Sequence, residues 1–572
     1  MAKWLEYKRK ADFKGMGAYL GVDQVVARIL VNRGLQSVEE MQDFLHPSPE
    51  QLGDGSKMKD MAKAVSLLKQ AICEGKSIRV IGDYDIDGVQ ATYILHQGLL
   101  HCKAKASYGI PHRVTDGYGV NVSMIEQCVA DGVDMVITCD NGIAAGEAIA
   151  VAKEAGLTVI ITDHHEIPFE MEGEKRHYFL PAADAIVNPK QDNCAYPFKG
   201  LCGAAVAWKV IQQLYQAMDI PAGDAEVFLE HAAFATVGDV MELQGENRAI
   251  VSLGLKQLEN TRNLGMQTLI KRCGLQGKRL GAYHLGFVLG PCINASGRLD
   301  SATKSLELLE AENAMEAAAL AEQLVSMNEE RKVMTEQGVQ AAIHIVERNL
   351  NDDRVLVIYL PQVHESIAGI IAGRIRERYE KPTFVLVDSA QEDGLKGSGR
   401  SIEAFSMYEE MCKCKELFTK FGGHPMAAGL SMSRDNLENF RRSINANANL
   451  MEEDLQRVVH IDAAMPLSDL TIPLIRQLDL LEPFGCGNSK PVFAQKNVEL
   501  FDVKPIGKQR QYFKGMVRGE DGCVQEALYF GPPEQLQECM SSGNRCKITY
   551  YPQINSFGNR EKIQIVITDI CL

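Results

Sequence analysis

The sequence predicts an α/β protein with two α/β units and a C-terminal β-barrel or sandwich. From about residue 67 to residue 190, apolar strands alternate with amphipathic helices, which predicts a parallel sheet covered by helices on both faces. A second α/β unit begins at Arg354–Leu360 and runs to about residue 458. From residue 459 the pattern changes to short alternating runs with frequent Gly and Pro, which is typical of small all-β domains.

Individual elements follow from the apolar runs. Five runs predict the strands of the first sheet: Ser77–Ile81, Ala104–Ile110, Met135–Cys139, Thr158–Thr162 and Ala185–Val187. Helices are predicted between them, among them Val89–Leu100 and Ile143–Ala155, and the long amphipathic stretch Ser301–Leu350 predicts one or two helices that bridge the α/β units. Four runs predict strands of the last domain: Val498–Val503, Gln511–Met516, Ala527–Phe530 and Ile563–Ile567.

The chain of 572 residues is too long for a single core. The patterns divide it into five segments: a helical preface (1–66), a first α/β domain (67–305), a connecting helix (306–349), a second α/β domain (350–458) and a β-domain (459–572).

The composition is that of an ordinary globular chain, with 46% hydrophobic and 24% charged residues. No apolar run approaches the roughly eighteen residues of a membrane span, and the N-terminal residues lack the apolar core of a secretion signal. Fifteen scattered cysteines without a Cys-x-x-Cys pair favour reduced thiols, so a cytoplasmic location is expected. With a formal charge of −15, any nucleic-acid site must be a confined basic patch, built partly from bound metal ions.

Three aspartates, Asp83, Asp85 and Asp87, directly follow the first predicted strand. Carboxylates this close repel one another unless a cation lies among them, and oxygen ligands favour hard cations such as Mg²⁺ or Mn²⁺. An EF-hand calcium loop is excluded because Ile94 occupies position twelve, where a bidentate Glu is required. A solvated acidic turn is the plain alternative for this motif taken alone.

Further acids and histidines follow other buried stretches. Asp140 ends Met135–Cys139, Asp163-His164-His165 ends Thr158–Thr162, and Asp239 follows Ala232–Val237. A single buried Asp or His is most often a core or cap residue, but several at the ends of successive elements favour one shared site. Such a set suits two metal ions roughly 3.5–4 Å apart, which activate water in phosphodiester hydrolysis. A mixture of carboxylates and imidazole suits Mn²⁺ in particular.

Four of these segments carry a resemblance to a known family: Gly82–Gly88, Thr138–Gly142, Thr162–Glu166 and Gly238-Asp239. They are similar to the four motifs of the DHH phosphoesterase superfamily, and within it the chain resembles the RecJ family of single-strand-specific 5′→3′ exonucleases. The resemblance continues, in the family's order, through Gly290–Leu299, Val363–Gly369, Gly397–Ser401 and Phe421–Gly429.

The resemblance implies roles for the acidic and histidine residues. Five would ligate two Mn²⁺ or Mg²⁺ ions, with the third of them bridging: Asp85, Asp87, Asp140, His164 and Asp239. Asp83 would be a ligand or a partner of one, His165 would contact the scissile phosphate or the water, and Asp163 would orient its neighbouring histidine. The same resemblance implies a DHH catalytic domain, a DHH-associated domain that closes a cleft over the metals, and a C-terminal OB-fold that threads single-stranded DNA.

Basic and aromatic residues are candidates for strand binding. Phe501–Arg518 contains five basic residues against one acid, and its candidates are Lys508, Arg510, Tyr512 and Lys514. A solvated hairpin face would look similar, but the position on an OB-like segment favours nucleic acid. Recognition of a 5′ phosphate requires Arg forks and hydroxyls. Residues similar to the family's phosphate and DNA contacts are Arg113, Arg298, Ser398, Arg400 and His424.

The chain departs from the family pattern at three positions near the cleft. Cys292 stands where the family has an Arg, and Ser366 and Ala368 alter the turn that follows His364. None of these departures removes an expected metal ligand.

The leading hypothesis is an exonuclease that releases 5′-mononucleotides from single-stranded DNA in DNA repair and recombination. One alternative is a phosphodiesterase of short oligonucleotides or cyclic dinucleotides, which would not need the C-terminal barrel. A second is an inert DNA-binding replication scaffold, which the intact aspartates disfavour. The expected partners are single-stranded DNA, a helicase and a single-strand-binding protein; a monomer without membrane contact is expected.

Overall fold

The chain forms two compact units in the computed structural model, which describes residues 2–172, 175–390, 393–507, 510–541, 545–557 and 560–571. One unit comprises residues 49–455, and the other joins residues 1–48 to residues 456–572. Within the described residues, the helices are all too short or too polar to cross a bilayer.

The first α/β part of the larger unit is built on a five-stranded parallel sheet. Its strands, in spatial order, are Lys105–Gly109, Ser77–Ile81, Met135–Cys139, Thr158–Thr162 and Ala185–Val187. The middle strand is buried along its whole length, as expected for a sheet covered on both faces. A hairpin of Phe169–Glu172 and Lys175–Tyr178 extends from the loop before the last strand.

Helices cover the sheet and continue beyond it. They are Met61–Cys73, Ile86–His101, Val122–Ala130, Gly146–Glu154, Gly203–Ala217, Gly223–Glu226, Leu229–Gly238, Gly245–Leu258, Leu264–Arg272, Ala282–His284, Gly290–Leu299, Thr303–Glu310 and Ala314–Ile345, with π-turns at Leu285–Leu289 and Val346–Leu350 and 3₁₀ turns at Pro49–Gln51 and Gly55–Lys57. Ile86–His101 packs between the sheet and the helices Gly203–Ala217 and Leu229–Gly238, so the segment after Asp85 lies in the core.

The second α/β part contains a five-stranded mixed sheet. In spatial order its strands are Lys420–His424, Ala427–Met432, Leu395–Arg400, Thr383–Asp388 and Leu356–Tyr359, and only the last two are parallel. Its helices are Glu365–Tyr379, Met407–Cys412 and Leu437–Asn447, with 3₁₀ turns at Lys415–Leu417 and Arg434–Asn436. Phe384 packs with Phe440 on one face, and Val385 packs with Ile371 on the other, because alternate residues of a strand point to opposite faces.

The smaller unit is a closed β-barrel with helices attached. Its strands, in spatial order, are Ala463-Ala464, Phe493–Ile506, Tyr512–Arg518, Val524–Tyr529, Arg560–Cys571 and Cys546–Phe557, and the last of these pairs back to Phe493–Ile506. The short strand Lys3–Glu6 pairs with Val458–Ile461. The helices are Phe13–Leu20, Gln24–Asn32, Val38–Leu45, Ile472–Leu478 and Pro533–Ser541, with 3₁₀ turns at Leu467–Asp469 and Asp479–Leu481.

Most predicted elements form close to their predicted bounds, and the predicted parallel sheet is confirmed. The predicted bridging stretch is two helices, Thr303–Glu310 and Ala314–Ile345, followed by a π-turn. The strand Cys546–Phe557 was not predicted, because Pro552 interrupts its apolar pattern and proline lacks the N–H that a strand needs. The N-terminal helices pack on the barrel core, so Leu30 and Phe493 belong to one hydrophobic cluster.

Candidate active site

Three loops at one edge of the first sheet carry acids and histidines. The strands Ser77–Ile81, Met135–Cys139 and Thr158–Thr162 are parallel neighbours, so their carboxyl ends lie at the same edge. The loops that follow them hold Asp83, Asp85, Asp87, Asp140, Asp163, His164 and His165. The sheet thereby brings together side chains that are far apart in the sequence.

Asp85 is the N-cap of the helix Ile86–His101. Its Oδ1 accepts hydrogen bonds from the backbone N–H groups of Asp87 at 3.0 Å and Gly88 at 3.1 Å. A carboxylate is favoured here because the helix N-terminus carries unpaired N–H groups and a partial positive charge. Position 88 requires glycine, since a Cβ would lie 2.5 Å from the carbonyl oxygen of Asp83.

Asp87 is fully buried at the N-terminus of a second helix, Gly203–Ala217. Its Oδ2 accepts a hydrogen bond from the Gly203 N–H at 2.6 Å, and its Oδ1 accepts one from the Ala204 N–H at 2.7 Å. A Cβ at position 203 would lie 2.6 Å from the Cβ of Asp140, so only glycine lets the helix approach this closely. The helix therefore holds one acid and abuts another.

Asp140 and His164 face each other in the centre of the cluster. The His164 Nε2 atom lies 3.1 Å from Asp140 Oδ1, 3.5 Å from Asp87 Oδ2 and 3.7 Å from Asp239 Oδ2. Asp239 reaches this point from the C-terminal end of the helix Leu229–Gly238. Asp140 Oδ1 and both ring nitrogens of His164 are buried and have no hydrogen-bond partner within the described part of the chain.

Burial and mutual repulsion raise the pKa values of three acids in the cluster. Burial, reinforced by the charges of Asp87 and Asp85, raises the pKa of Asp140 well above its ordinary value. Burial and the neighbouring Asp85 raise the pKa of Asp83 to about 8, and burial and Asp87 raise the pKa of Asp239 to about 8. Buried carboxylates with such raised pKa values gain stability when cations bind among them.

The ligand atoms have the spacing of metal sites. They form two groups of three atoms that lie within 4.8 Å of one another: Asp83, Asp85 and Asp140, and Asp87, His164 and Asp239. A third group, Asp140, His164 and His165, overlaps both. Carboxylate oxygens with one imidazole fit Mn²⁺ or Mg²⁺. Asp83 Oδ2, Asp140 Oδ1 and the His164 nitrogens, which have no hydrogen-bond partner in the part of the chain that the structure describes, fit atoms that bind a cation.

His165 is held beside this cluster by Asp163. The His165 Nδ1 atom lies 2.8 Å from Asp163 Oδ1, which also accepts hydrogen bonds from the backbone N–H groups of His164 and His165. Burial alone would lower the pKa of His165, but the hydrogen bond and charge of Asp163 outweigh it and raise the pKa to about 9. The Tyr118 hydroxyl donates a hydrogen bond to the Asp140 carbonyl oxygen at 3.0 Å and lies 3.1 Å from His165 Nε2.

An arginine-lined cavity of about 500 Å³ lies in the same compact unit. Its lining includes Arg113, Arg298, Ser398 and Arg400, four of the residues predicted to bind a phosphate. Lys396 and Lys420 add two further cations, and Glu365 is the acid of the lining. The excess of cations makes this cavity suitable for an anion.

The arginines of the cavity are fixed by neighbouring groups. The guanidinium of Arg298 donates a hydrogen bond to the Ser366 carbonyl oxygen at 2.5 Å, and that of Arg113 lies 3.9 Å from the centre of the Tyr84 ring. Burial, together with the charges of Arg113 and Arg331, lowers the pKa of Arg298 to about 9. Because Tyr84 lies between Asp83 and Asp85, its contact with Arg113 joins the cavity to the acidic cluster.

The remaining predicted DNA contacts lie elsewhere. His424 is exposed at the end of the strand Lys420–His424 and does not line the cavity. In the smaller unit, Arg510 is exposed, Tyr512 packs edge-on against Phe530 at 5.1 Å, and Lys514 forms an ion pair of 2.8 Å with Glu526. Lys508 lies outside the described residues. The roles of these residues stay predictions.

Comparisons with known proteins find matches along most of the chain. Family models match at residues 77–236 (DHH family, N-terminal domain), 352–449 (DHHA1 domain) and 461–569 (RecJ OB domain). The single-stranded-DNA-specific exonuclease RecJ of Bacillus subtilis is 36% identical over 558 residues, which cover 97% of this chain and 69% of the relative. The Escherichia coli protein of the same name is 30% identical over 571 residues, covering 96% of this chain and 95% of the relative. The chain belongs to the RecJ family.

Solved structures of RecJ proteins agree with this membership. The crystal structure of Thermus thermophilus RecJ in complex with Mn²⁺ superposes with a TM-score of 0.82 at 25% identity, covering 100% of this chain and 79% of that chain. A structure of exonuclease RecJ bound to manganese is 31% identical with a TM-score of 0.59, covering 70% of this chain and 96% of that one. The predicted fold class, with a parallel-sheet DHH domain, a DHH-associated domain and an OB-like barrel, is confirmed.

The three residues that depart from the RecJ pattern, Cys292, Ser366 and Ala368, are buried. Cys292 is buried, and its sulfur lies 3.5 Å from Asn328 Nδ2 and 3.4 Å from the Val288 carbonyl oxygen. Ser366 supplies the carbonyl oxygen that holds Arg298, and its hydroxyl lies 2.7 Å from His364 Nδ1. Ala368 lines the arginine-lined cavity, so the altered turn still forms part of its wall.

Sequence reasoning missed several residues of this site. Tyr84 lay inside the acidic motif but was given no role, and Gly203 offered no local signal because its function depends on a contact with Asp140. Asn294 accepts a hydrogen bond from the Ile86 N–H at 2.9 Å. It was part of the quoted motif Gly290–Leu299, so that motif was the available signal.

Proposed function

We propose that this RecJ-family protein hydrolyses phosphodiester bonds of single-stranded DNA from the 5′ end and releases 5′-mononucleotides. It is a metal-dependent exonuclease that acts in DNA repair and recombination. This proposal is supported by a cluster of acids and an imidazole, in which Asp83 Oδ2, Asp140 Oδ1 and the His164 nitrogens have no hydrogen-bond partner among the described residues, and by the arginine-lined cavity beside it. The first feature suits hydrolysis of a phosphodiester, and the second suits a terminal phosphate.

We assign the acidic cluster to two divalent ions, Mn²⁺ or Mg²⁺. Asp83, Asp85 and Asp140 would hold one ion, and Asp87, His164 and Asp239 would hold the other. Two such ions supply an activated water and stabilise the charge that develops on the phosphate. Asp140 would lie between the two sets, in agreement with its position 3.1 Å from His164 Nε2. In this assignment Asp83 would be a metal ligand and not only a partner of one.

His165 is proposed to donate a hydrogen bond to a non-bridging oxygen of the scissile phosphate. In the metal-free protein the hydrogen bond and charge of Asp163 outweigh burial and raise the pKa of His165 to about 9, which favours a protonated ring with two donor nitrogens. Asp163 uses one of them and fixes the ring orientation. The Tyr118 hydroxyl, which contacts the same ring, limits its movement.

The cavity is proposed to bind the 5′-terminal phosphate. Arg113, Arg298 and Arg400 would provide bidentate donors, and the Ser398 hydroxyl would provide a further one. The contact of Arg113 with Tyr84 places this cavity beside the acidic loop. A phosphate held there sets the position of the first phosphodiester bond, which explains release of single nucleotides from the 5′ end.

The smaller unit is proposed to bind the strand farther from the cut. Its basic and aromatic candidates are Lys508, Arg510, Tyr512 and Lys514, which suit a phosphate backbone and stacked bases. A helicase and a single-strand-binding protein are proposed partners because they supply and hold unpaired strands. A monomer in the cytoplasm is proposed, where reduced cysteines persist.

An end-labelled digest tests the activity. Purified protein with Mn²⁺ is given single and double strands labelled at either end. Early release of labelled mononucleotide from 5′-labelled single strands, with the 3′ label retained on long products, is expected. Mononucleotides released first from the 3′ end, or equal rates on duplexes, would contradict the proposal.

The phosphate cavity has a separate test. Arg400→Gln is expected to remove most of the preference for 5′-phosphorylated over 5′-hydroxyl strands, a loss on the order of tenfold or more for one charge-assisted contact. Arg442→Gln, an exposed arginine on the helix Leu437–Asn447, is the matched control. An unchanged preference in Arg400→Gln would show that the cavity does not read the terminal phosphate.

A further inference from the structure

Two large aromatic side chains are exposed side by side near the acidic cluster. Tyr283 is 66% exposed and Phe287 is 72% exposed. Their rings are stacked, with centroids 5.3 Å apart and planes inclined by 22°. Two stacked aromatic rings in water form a flat apolar surface, which is a site for contact with another flat group.

The pair belongs to the helix that packs on the acidic loop. This helix runs from Ala282 to Leu299 and contains the π-turn Leu285–Leu289. Asn294 accepts a hydrogen bond from the Ile86 N–H at 2.9 Å, and Gly297 approaches the Tyr84 carbonyl oxygen so closely that a Cβ would clash. π-turns within helices are frequent at functional sites.

The exposed aromatics share a helix with residues of the proposed site. Along this helix Tyr283 and Phe287 are exposed and Asn294 and Arg298 are partly exposed, whereas most residues between them are buried. Arg298 lines the phosphate cavity, and Asn294 contacts the acidic loop. The helix thus runs from the cavity, past the loop, to the aromatic pair.

Distances along the helix set the order of these features. With a rise of about 1.5 Å per residue, Arg298 lies about 6 Å from Asn294 in one direction. Phe287 and Tyr283 lie about 10 Å and 16 Å from Asn294 in the other direction. Successive phosphates of a strand are spaced by about 3.4 Å or more along its axis, so the pair is within reach of the first few nucleotides beyond the cut.

We propose that Tyr283 and Phe287 form a stacking platform for unpaired bases on the 3′ side of the scissile phosphate. The proposal rests on the function proposed above, since the 5′-phosphate cavity fixes the direction in which the strand continues. Stacking on a ring is tolerant of base identity because every base has a flat face. A base can stack on these rings only when it is not stacked and paired within a duplex, so the platform would favour single strands over duplexes.

Kinetics on two substrate lengths test the platform. The double variant Tyr283→Ala/Phe287→Ala should show about a tenfold higher KM for a 5′-phosphorylated strand of about twelve nucleotides, as expected for the loss of base stacking. The loss should be much smaller for a dinucleotide, which ends before the platform. Tyr283→Leu/Phe287→Leu, which keeps apolar bulk without a ring face, should resemble the alanine variant, and Phe287→Trp should retain affinity. Met315→Ala, 83% exposed on another helix, is the control and should change neither KM.

Binding of a strand with abasic nucleotides is the decisive measurement. Removing the bases at the second to fifth positions should weaken wild-type binding, measured in EDTA so that no cleavage occurs, by about the same factor as the double variant. The two changes together should cost no more than either alone. Equal binding of intact and abasic strands by the wild type, or additive losses, would overturn the platform.

The two proposals fail differently. If the wild type cleaves neither substrate with Mn²⁺, the proposed function is wrong, while the abasic comparison in EDTA still decides whether the pair contacts bases. If the wild type cleaves both substrates and the double variant keeps its KM for the long strand, only the platform is wrong.

Discussion

Asp140 is buried among other acids, with one carboxylate oxygen that has no hydrogen-bond partner among the described residues. Its backbone has a φ of 61°, a left-handed conformation that is uncommon outside glycine, asparagine and aspartate. Sites that combine backbone strain with an unpaired buried charge lower stability and are kept for function.

The first prediction concerns Asp140→Asn. We expect hydrolysis to fall by at least about 10³-fold, because an amide neither carries charge nor bridges two cations well. The metal-free protein should melt at a higher temperature than the wild type, because one repelling carboxylate is gone. Turnover with Mn²⁺ and thermal melting in EDTA are the measurements. Asp352→Asn, at an exposed aspartate, is the control; a variant that keeps wild-type turnover would refute the assignment.

The second prediction concerns pH. The pKa values of Asp83 and Asp239 are raised to about 8, so their stabilising contribution is complete below the unfolded pKa near 3.8 and is lost as pH rises through 8. His165, whose pKa is raised to about 9, contributes below its unfolded pKa of 6.5 and loses this contribution as pH rises through 9. The metal-free protein should therefore melt at a lower temperature near pH 8.5 than near pH 6.

Mn²⁺ should reverse this dependence, since cations replace the protons that the acids otherwise bind. The increase in melting temperature on adding Mn²⁺ should be larger near pH 8.5 than near pH 6. An increase that is independent of pH would contradict the raised carboxylate pKa values.

At the scale of elements, helix N-termini hold the acids in place. Asp85 caps Ile86–His101, and Asp87 accepts two N–H groups from the start of Gly203–Ala217. The helix end supplies partial positive charge but no full charge. This arrangement keeps the carboxylates ordered without neutralising them, so they stay available to cations.

The third prediction follows from that contact. Gly203→Ala would put a Cβ 2.6 Å from the Cβ of Asp140, so the helix must shift and pull its N–H groups away from Asp87. We expect a loss of stability of about 1–3 kcal/mol, as for overpacking, and weaker Mn²⁺ binding. Gly223→Ala, where a Cβ meets no atom within 4 Å, is the control. Denaturant unfolding measures the loss of stability, and Mn²⁺ titration measures the metal affinity. A Gly203→Ala variant with wild-type metal affinity would contradict the proposed role of the helix.

The elements of the first sheet could be predicted because each has a local signal. Ser77–Ile81, Met135–Cys139 and Thr158–Thr162 are apolar runs with acids directly after them, and their parallel order places those acids at one edge. Gly203 and Asn294 could not be predicted in the same way, since their roles arise from contacts across the fold. The exposed pair Tyr283 and Phe287 was missed because an aromatic spacing of four residues is also typical of a core helix.

In the whole molecule, the smaller unit combines the N-terminal segment 1–48 with the C-terminal segment 456–572. One hydrophobic cluster combines residues from 1–48 and from 456–572, while the clusters of residues 49–455 are separate from it. Sequence reasoning placed residues 1–66 together as a preface, since pairing between Lys3–Glu6 and Val458–Ile461 has no local signal. We propose that residues 49–455 carry out hydrolysis and that the smaller unit binds the strand, and truncation can test these roles.

The fourth prediction is that residues 49–455 fold alone and retain Mn²⁺ binding and cleavage of a dinucleotide. This fragment should bind a long strand more weakly than the full chain, because it lacks the proposed strand-binding barrel. Fragment 1–455 is the matched comparison, and it should aggregate because the helix Gln24–Asn32 loses its core partners. Equal affinity of 49–455 and the full chain for a long strand would exclude a binding role for the smaller unit.

We propose that acids from distant parts of the sequence hold a pair of divalent ions at one edge of the first sheet. Crystals grown with Mn²⁺ and measured at the manganese absorption edge test it most directly. We expect two anomalous peaks, one bordered by Asp83, Asp85 and Asp140 and the other by Asp87, His164 and Asp239. Ordered side chains with no anomalous peak between them, at Mn²⁺ concentrations that support cleavage, would contradict it.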